Sequence, residues 1–263
     1  MQVIENPGEF SSRFARWNVR EDMSGYPWIE NRNTPFTPLK RALPLLNLAL
    51  ISSAGAYING TEAFDLEAKD GDLTYREIPV EVGAADLKYA AKGYDTAAAL
   101  ADRNSQIPIE RLREYQENAV VGQLNNVWWS VSPFIPNAVR VADELGPSLV
   151  ERLRRYEIHA ALFIPASRLC HQTLALIART VETAGIPTMM ISVDRDLSDR
   201  VKPPRSAYYR GEFGSVAGKP NWREYQLRVL DESIRWIETF DQPGSRHLGV
   251  ELESAVEAAR GER

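Results

Sequence analysis

The chain contains one cysteine, Cys170, followed directly by one of its three histidines, His171. Around them runs "HAALFIPASRLCHQTLALIARTVETAG": a nearly continuous apolar stretch, then a short polar break, then apolar residues at helical spacing (Leu174, Ile177, Ala178, Val181). A strand buried on both faces of a parallel sheet has the first pattern, and a helix packed on that sheet has the second. Ligands of open α/β sheets bind just beyond the carboxyl ends of the strands, and Cys170 is expected there, at the start of a helix. Unpaired amide groups and the helix dipole favour an anion at that point. A thiolate gains from both, so the thiol pKa is expected below that of a free cysteine. Arg168 adds positive charge, and His171 is a candidate proton carrier. The plainer reading stands beside this one: free cysteine is commonly a small buried apolar residue, and His171 caps the helix.

Other residues have types and positions suited to binding. Ser52, Ser53 and Gly55 end the apolar run "LPLLNLALISSAG", where small residues allow close backbone approach to a ligand or simply make a tight turn. "SSAG" is not a dinucleotide fingerprint. Asp95 is a candidate for orienting a substrate or proton carrier. Asp102 reads as a cap, and Asn104 as either a cap or a substrate contact. Gln172 follows the cysteine and histidine on the helix. Arg205 and Arg210 are candidates for holding a carboxylate, with a solvated surface position as the alternative. "NNVWWSVSPF" (125–134) lines a pocket or a subunit contact, or is core.

The elements that must position these residues are legible in outline. "LNLALIS", "YREIPVEV", "HAALFIPA" and "IPTMMISV" read as strands, and "PIERLREYQEN" and "REYQLRVLDESIRWIETF" as helices. "SPFIPNAVRVADELGPSLVERLRRYE" reads as two helical pieces divided at Gly146-Pro147. "RVKPPRSAYYRGEFGSVAGKPNW" reads as one long loop. The first forty residues, with Phe10, Phe14, Trp17, Tyr26, Trp28 and Phe36, read as a short helix and an extended aromatic arm. The strand–helix–strand series predicts a right-handed crossover and parallel pairing. The expected fold is therefore α/β: a Rossmann-like, mostly parallel sheet flanked by helices, with an aromatic-rich N-terminal arm. Its expected divisions are 1–45 for the arm, 46–241 for the α/β domain and 242–263 for a polar tail.

Composition bounds the function. With 263 residues, 44% of them hydrophobic, the chain can bury a sizeable core. A formal net charge of -5 gives no general attraction to nucleic acid or anionic lipid. "RLRRYE" (152–157) reads as a solvated helix face. One cysteine excludes an internal disulfide framework and a zinc-binding CxxC pair, and no metal site is predicted. No apolar run reaches the ~18 residues of a membrane span, and no signal peptide is visible. A cytoplasmic location is expected.

Several stretches occur in a fixed order: "SSAGAYINGTEAFD", "GDLTYREIP", "DLKYAAKGYD", "DRNSQIPIERLREYQENAVVG", the cysteine stretch and "PPRSAYYRGEFGSVAGKP". Together, from about Leu46 to Phe240, they resemble the selenoprotein B family of glycine, sarcosine, betaine and D-proline reductases. The resemblance implies that Cys170 occupies the place of the family's selenocysteine or cysteine nucleophile, which drives reductive cleavage of a carbon–nitrogen bond. It also implies a partner subunit carrying a pyruvoyl group; this chain has no candidate for that group. Where family members carry a histidine-rich "HDHYD"-like run, this chain has "AKGYD", which keeps Asp95 without the histidines. No second cysteine is present to resolve an oxidised Cys170, so an external thiol reductant or partner is implied. The leading expectation is a subunit that uses the Cys170 thiolate, with His171 and Asp95 nearby, on a small amino-acid-like or amine substrate, in a complex or homo-oligomer. The alternatives are a non-catalytic partner-binding subunit that keeps the fold, and a non-redox enzyme using the same pocket. An exposed Cys170 with a depressed pKa marks the first, and a buried cysteine with a large apolar surface patch the second.

Overall fold

The structure is a computed structural model that describes residues 2–20, 22–250 and 256. Its centre is a strand with no polar face. β1 (Asn47–Ser52) is buried from Leu48 onward, and its residues alternate between two cores. Leu48 and Leu50 enter one apolar cluster, while Ala49 and Ile51 enter the other. A strand buried on both faces must be covered by helices on both sides, and it is.

The remaining strands are β2 (Ala56–Ile58), β3 (Tyr75–Pro79), β4 (Leu87–Tyr89), β5 (Gln123–Leu124), β6 (Val127–Val131), β7 (Ala160–Ile164), β8 (Thr188–Ser192), β9 (Arg205–Tyr208) and β10 (Gly244–His247). The main sheet has the order β10-β9-β8-β7-β1-β6-β3, with β5 also pairing with β1. Every pairing in it is parallel except β3 with β6. β2 and β4 form a separate antiparallel pair. The chain is thus a mixed α/β protein with a mostly parallel central sheet flanked by helices.

Before the sheet comes α1 (Pro7–Phe14). Phe10, Tyr26 and Ile29 are buried in the cluster that also holds the inward faces of the helices preceding and following β7. α2 (Ala97–Ala101) and α3 (Ile109–Glu117) follow β4. α4 (Ala138–Arg140), a π turn (Val141–Leu145) and α5 (Gly146–Arg155) run without interruption. Gly146-Pro147 therefore does not divide this segment as expected. The widened turn just before it leaves room for the proline ring and its missing N–H. Gly146 serves a different purpose: a Cβ there would lie 2.8 Å from the Thr180 hydroxyl of the neighbouring helix. α6 (Arg168–Thr183), α7 (Arg195–Val201) and α8 (Arg223–Thr239) complete the set.

Two further expectations are corrected. The segment read as one long loop contains β9, whose four residues are too few to register against the surrounding Gly and Pro. The segment read as a polar tail opens with β10, an edge strand that is exposed on both faces apart from Arg246 and so carries no apolar alternation. Residues 251–255 and 257–263 of that tail lie outside the described residues. The Trp pair of "NNVWWSVSPF" sits on β6, and both rings are buried in the sheet's two cores.

α6 ends on a buried ion pair. Arg205 Nη1 donates to Glu182 Oε1 at 2.6 Å, with both side chains fully excluded from solvent. Glu182 also accepts from the Thr37 amide, the Thr188 amide and the Thr188 hydroxyl. One carboxylate thereby joins α6, β8, β9 and the N-terminal segment. Removing one member of such a pair strands the other charge, at a cost of about 3–5 kcal/mol. Glu182→Gln and Arg205→Met are each expected to lower the unfolding free energy by about 3 kcal/mol or more. Urea titration is the measurement, and the double variant is expected to lose less than the sum of the singles.

Candidate functional site: a capped and covered thiol

The carboxyl ends of β1, β6 and β7 meet at the first turn of α6. After β1 the chain stays stitched to both neighbours: the Ser53 amide donates to Ile164 O at 3.3 Å, and the Gly55 amide to Val131 O at 3.1 Å. Ser167 is the N-cap of α6, and its hydroxyl accepts from the Cys170 amide at 3.2 Å. That places Cys170 in the third helical position, with its side chain turned back toward the strand ends. Sγ donates to the carbonyl oxygens of Ser53 and Pro133, both at 3.4 Å. Cys170 has no exposed surface.

This environment contains opposed effects. Burial is the largest, and it raises the thiol above its ordinary pKa. Against it work the Ser167 and Ser53 hydroxyls and the backbone N–H groups of Ala166 and Ser167, each favouring the thiolate. The expected depression at a helix N-terminus is therefore overturned. The donors are present, but the loss of hydration outweighs them, and two carbonyl oxygens face the sulfur. Arg168, expected to add to the depression, instead points outward; it pairs with Asp194 at 3.3 Å and is 53% exposed.

His171 is also not a free proton carrier here. Nδ1 lies 2.7 Å from Ser167 O, and Nε2 accepts from the Val193 amide at 3.1 Å. Only the neutral tautomer with its proton on Nδ1 satisfies both contacts. Burial pushes its pKa down to about 4.

Of the other residues expected at the site, Ser53 contacts the thiol through its carbonyl, and Ser52 and Gly55 flank it in the turn after β1. The Ser52 hydroxyl accepts from the Ala54 amide, and the Ser53 hydroxyl from the Ala166 amide. Gly55 takes a positive φ, and its carbonyl accepts from the Ala90 amide at 2.9 Å. Asp95 is exposed, and its carboxylate accepts from the Ala97 amide. Asn104 bridges Asp102 and the Glu110 amide as part of the entry to α3. Gln172 is buried against the N-terminal segment, donating to Tyr26 Oη and accepting from the Ile29 amide. Arg205 is committed to Glu182 and to Thr37 O. The side chains of Asn104, Gln172 and Arg205 are each engaged in buried or part-buried contacts within the chain.

Three residues at the site escaped the sequence reading. Ser167 was visible as an N-cap three residues ahead of Cys170. Tyr94, whose hydroxyl donates to Ala54 O at 2.5 Å, sits inside the "AKGYD" run. Gln106 ties two loops together, donating to Ile164 O and Pro165 O and accepting from the Val216 amide. No local pattern marks that last role. Among the described residues no group of three or more His, Cys, Asp or Glu is placed to hold a metal. No helix among them is long and apolar enough to cross a membrane.

The geometry defines a class: a mostly parallel α/β protein whose strand ends enclose one helix-capped thiol. Comparison narrows it. Residues 77–166 match the sequence model of glycine/sarcosine/betaine reductase selenoprotein B. D-proline reductase subunit gamma of Acetoanaerobium sticklandii is 24% identical over 202 residues, 77% of this chain and 82% of that protein. Glycine reductase complex component B subunit gamma of Symbiobacterium thermophilum is 25% identical over 171 residues, 63% of this chain and 39% of that protein. Sarcosine reductase complex component B subunit beta of Peptoclostridium acidaminophilum is 25% identical over 111 residues, 42% of this chain and 25% of that protein. No solved structure matches the chain. These matches make the chain similar to the selenoprotein B family of glycine, sarcosine, betaine and D-proline reductases. Cys170 lies just past the stretch that matches the family model, which ends at Ala166.

The His171 contacts predict a pH effect. The unfolded chain takes up a proton near pH 6.5, whereas the folded chain resists it down to about pH 4. This contribution to stability is complete above pH 6.5 and declines as the pH falls toward 4, by about 3 kcal/mol at 1.36 kcal/mol per pH unit. His171→Asn removes the titration. The stability difference between wild type and this variant, from urea titrations between pH 7 and 4, is expected to shrink as the pH falls. A constant difference would mean that the imidazole titrates alike in the folded and unfolded chains, as an exposed ring does.

Proposed function

We propose that the chain is the thiol-bearing subunit of a reductase complex, acting on a small amino-acid-like or amine substrate. The observation carrying this reading is the convergence of three strand ends and a helix N-terminus on Cys170, with two serine hydroxyls and two backbone N–H groups arranged to favour its thiolate. The relatives' names support a multi-subunit reductase, and the doubly covered parallel sheet supports a Rossmann-like reading of the fold. In the proposed reaction the thiolate attacks the substrate carbon, forming a C–S bond as the C–N bond breaks, and the amine departs with a proton. A second thiol then attacks Sγ. The carbon leaves with the electron pair and takes a proton, and a disulfide remains. A dithiol or a reduced partner protein supplies that second thiol and the two electrons, because this chain has no other cysteine. A pyruvoyl group on a partner subunit would supply substrate-amine binding. His171, held neutral by two hydrogen bonds, orients the first turn of α6 rather than carrying the proton. A cytoplasmic location and a homo- or hetero-oligomeric state complete the proposal.

The full enclosure of Cys170 favours a second reading, in which the chain is a non-catalytic subunit that keeps the family fold. Large exposed apolar side chains such as Leu100 and Phe213 are present on its surface. The two readings separate in the assembly purified from its host, assayed with a dithiol and D-proline, glycine or sarcosine. Cys170→Ala is expected to reduce turnover by at least ~100-fold, as loss of a nucleophile does, while assembly stays intact. Unchanged turnover in that variant establishes the non-catalytic reading.

A further inference from the structure

We propose that residues 91–101 are a hinged flap over Cys170, with Tyr94 as its plug, and that this flap must lift before the thiol can react. The inference rests on the reading of Cys170 as the reactive group, and its geometry identifies which wall moves.

The other walls are fixed. Ser53 and Pro133, whose carbonyls take the thiol proton, lie on the extensions of β1 and β6 in the centre of the sheet. Ala166 and Ser167 form the turn from β7 into α6, and Gln106 pins that turn through Pro165 O. None of these can withdraw without opening the core.

The segment 91–101 is held differently. It is anchored at both ends: the Ala90 amide donates to Gly55 O at 2.9 Å, and the Asp102 carboxylate accepts from Asn221 and Gln226. Between those anchors only Ala99 is buried, and Leu100 is 68% exposed. Its inward ties are few. Tyr94 Oη donates to Ala54 O, one residue beyond the carbonyl that takes the thiol. Lys92 Nζ donates to Leu66 O and lies over the Phe134 ring. Gly93 has a φ of +80° and is exposed, a backbone state that suits a hinge.

A second loop clasps the flap from outside. The Gly214 amide donates to Ala166 O at 2.9 Å. Gly214 has a φ of +77°, and a Cβ on it would press on Asp95 O and on the Tyr94 ring. The phenol is thus held between the late loop and the end of β1. Lifting it costs one hydrogen bond and the packing of one half-buried ring against the core edge, less than withdrawing a strand end or the turn into α6, which makes this the low-cost opening among the walls around Cys170.

The test is the rate of iodoacetamide labelling of the folded full chain at urea concentrations below its unfolding transition. Wild type, Tyr94→Phe, Gly214→Ala and Tyr115→Phe are compared. Tyr115→Phe is the control, since it loses a similar hydrogen bond, to Leu227 O at 3.0 Å, on another helix face. The flap predicts slow labelling at a rate insensitive to low urea. Tyr94→Phe is expected to accelerate it roughly five-fold, the change in population that one hydrogen bond is worth. Gly214→Ala should accelerate it as well, and Tyr115→Phe should leave it unchanged. Urea-insensitive labelling that is equal in all four proteins would overturn the flap and leave the reactive thiol standing. Labelling that rises with urea in step with global unfolding in every protein would overturn both.

Discussion

A buried helix must satisfy its own ends, and α6 is buried over most of its length. The first-turn amides and last-turn carbonyls of a helix have no partners within it, and in α6 the first turn is buried except at Arg168, while the last turn reaches the surface at Thr183. At the start, Ser167 accepts the Cys170 amide, and the His171 ring accepts the Val193 amide while donating back to Ser167 O. In the last turn, Glu182 gathers Arg205, Thr188 and the Thr37 amide, while the Thr37 hydroxyl donates to Glu182 O. These two polar knots fix α6 between β7 and β8 and so fix the direction of the Cys170 side chain. The sheet order, the seat of the N-terminal segment and the enclosure of the thiol all follow from that position.

The same burial sets the chemistry of the closed state. A thiol surrounded by donors but cut off from water remains protonated, because solvation of a thiolate by bulk water exceeds what four local donors supply. Desolvation depends on the cover, whereas the donors belong to the rigid strand ends and the helix cap. Exposure of the sulfur therefore removes the dominant opposing effect and leaves the favourable ones in place. Nucleophilicity at this position depends on the state of the cover as much as on the identity of the residue.

What the sequence made legible follows from how local each signal is. β7, α6 and β8 could be read because continuous apolar runs and a 3.6-residue period are properties of the segment itself. The seat of Cys170 after a strand and at a helix start was readable for the same reason. β9 and β10 were not, since a four-residue strand is too short to show a period, whether it is buried on both faces like β9 or mostly exposed like β10. Arg205 looked like a surface arginine in a Gly- and Pro-rich loop. Its burial is set by Glu182, 23 residues away, and no pattern around Arg205 announces it. The sign of the Cys170 shift was missed because the dipole and the cap are local, while the burial of the sulfur comes from segments distant in sequence, among them the turns at Ser53 and Pro133. The "AKGYD" run drew attention to Asp95 for its charge, yet the residue that reaches the site is its neighbour Tyr94, through an uncharged hydroxyl.

The lone cysteine places one more demand on the cover. On the reductive reading, each cycle has two attacks at the same sulfur: Sγ first attacks carbon, and a second thiol later attacks Sγ. In a chain with a resolving cysteine the second attack can take place beneath a closed lid. Here the second thiol comes from outside, and in-line attack on a sulfur bonded to carbon requires an approach opposite that bond. A cover that opened only wide enough for a small amine would trap the chain in its C–S adduct. The opening must therefore admit a dithiol or the surface of a partner protein, and a flap of eleven residues with one buried side chain is better suited to that than a shift of one rotamer. Chains that carry their own resolving thiol are free of this demand and can keep a tighter cover over the same strand ends.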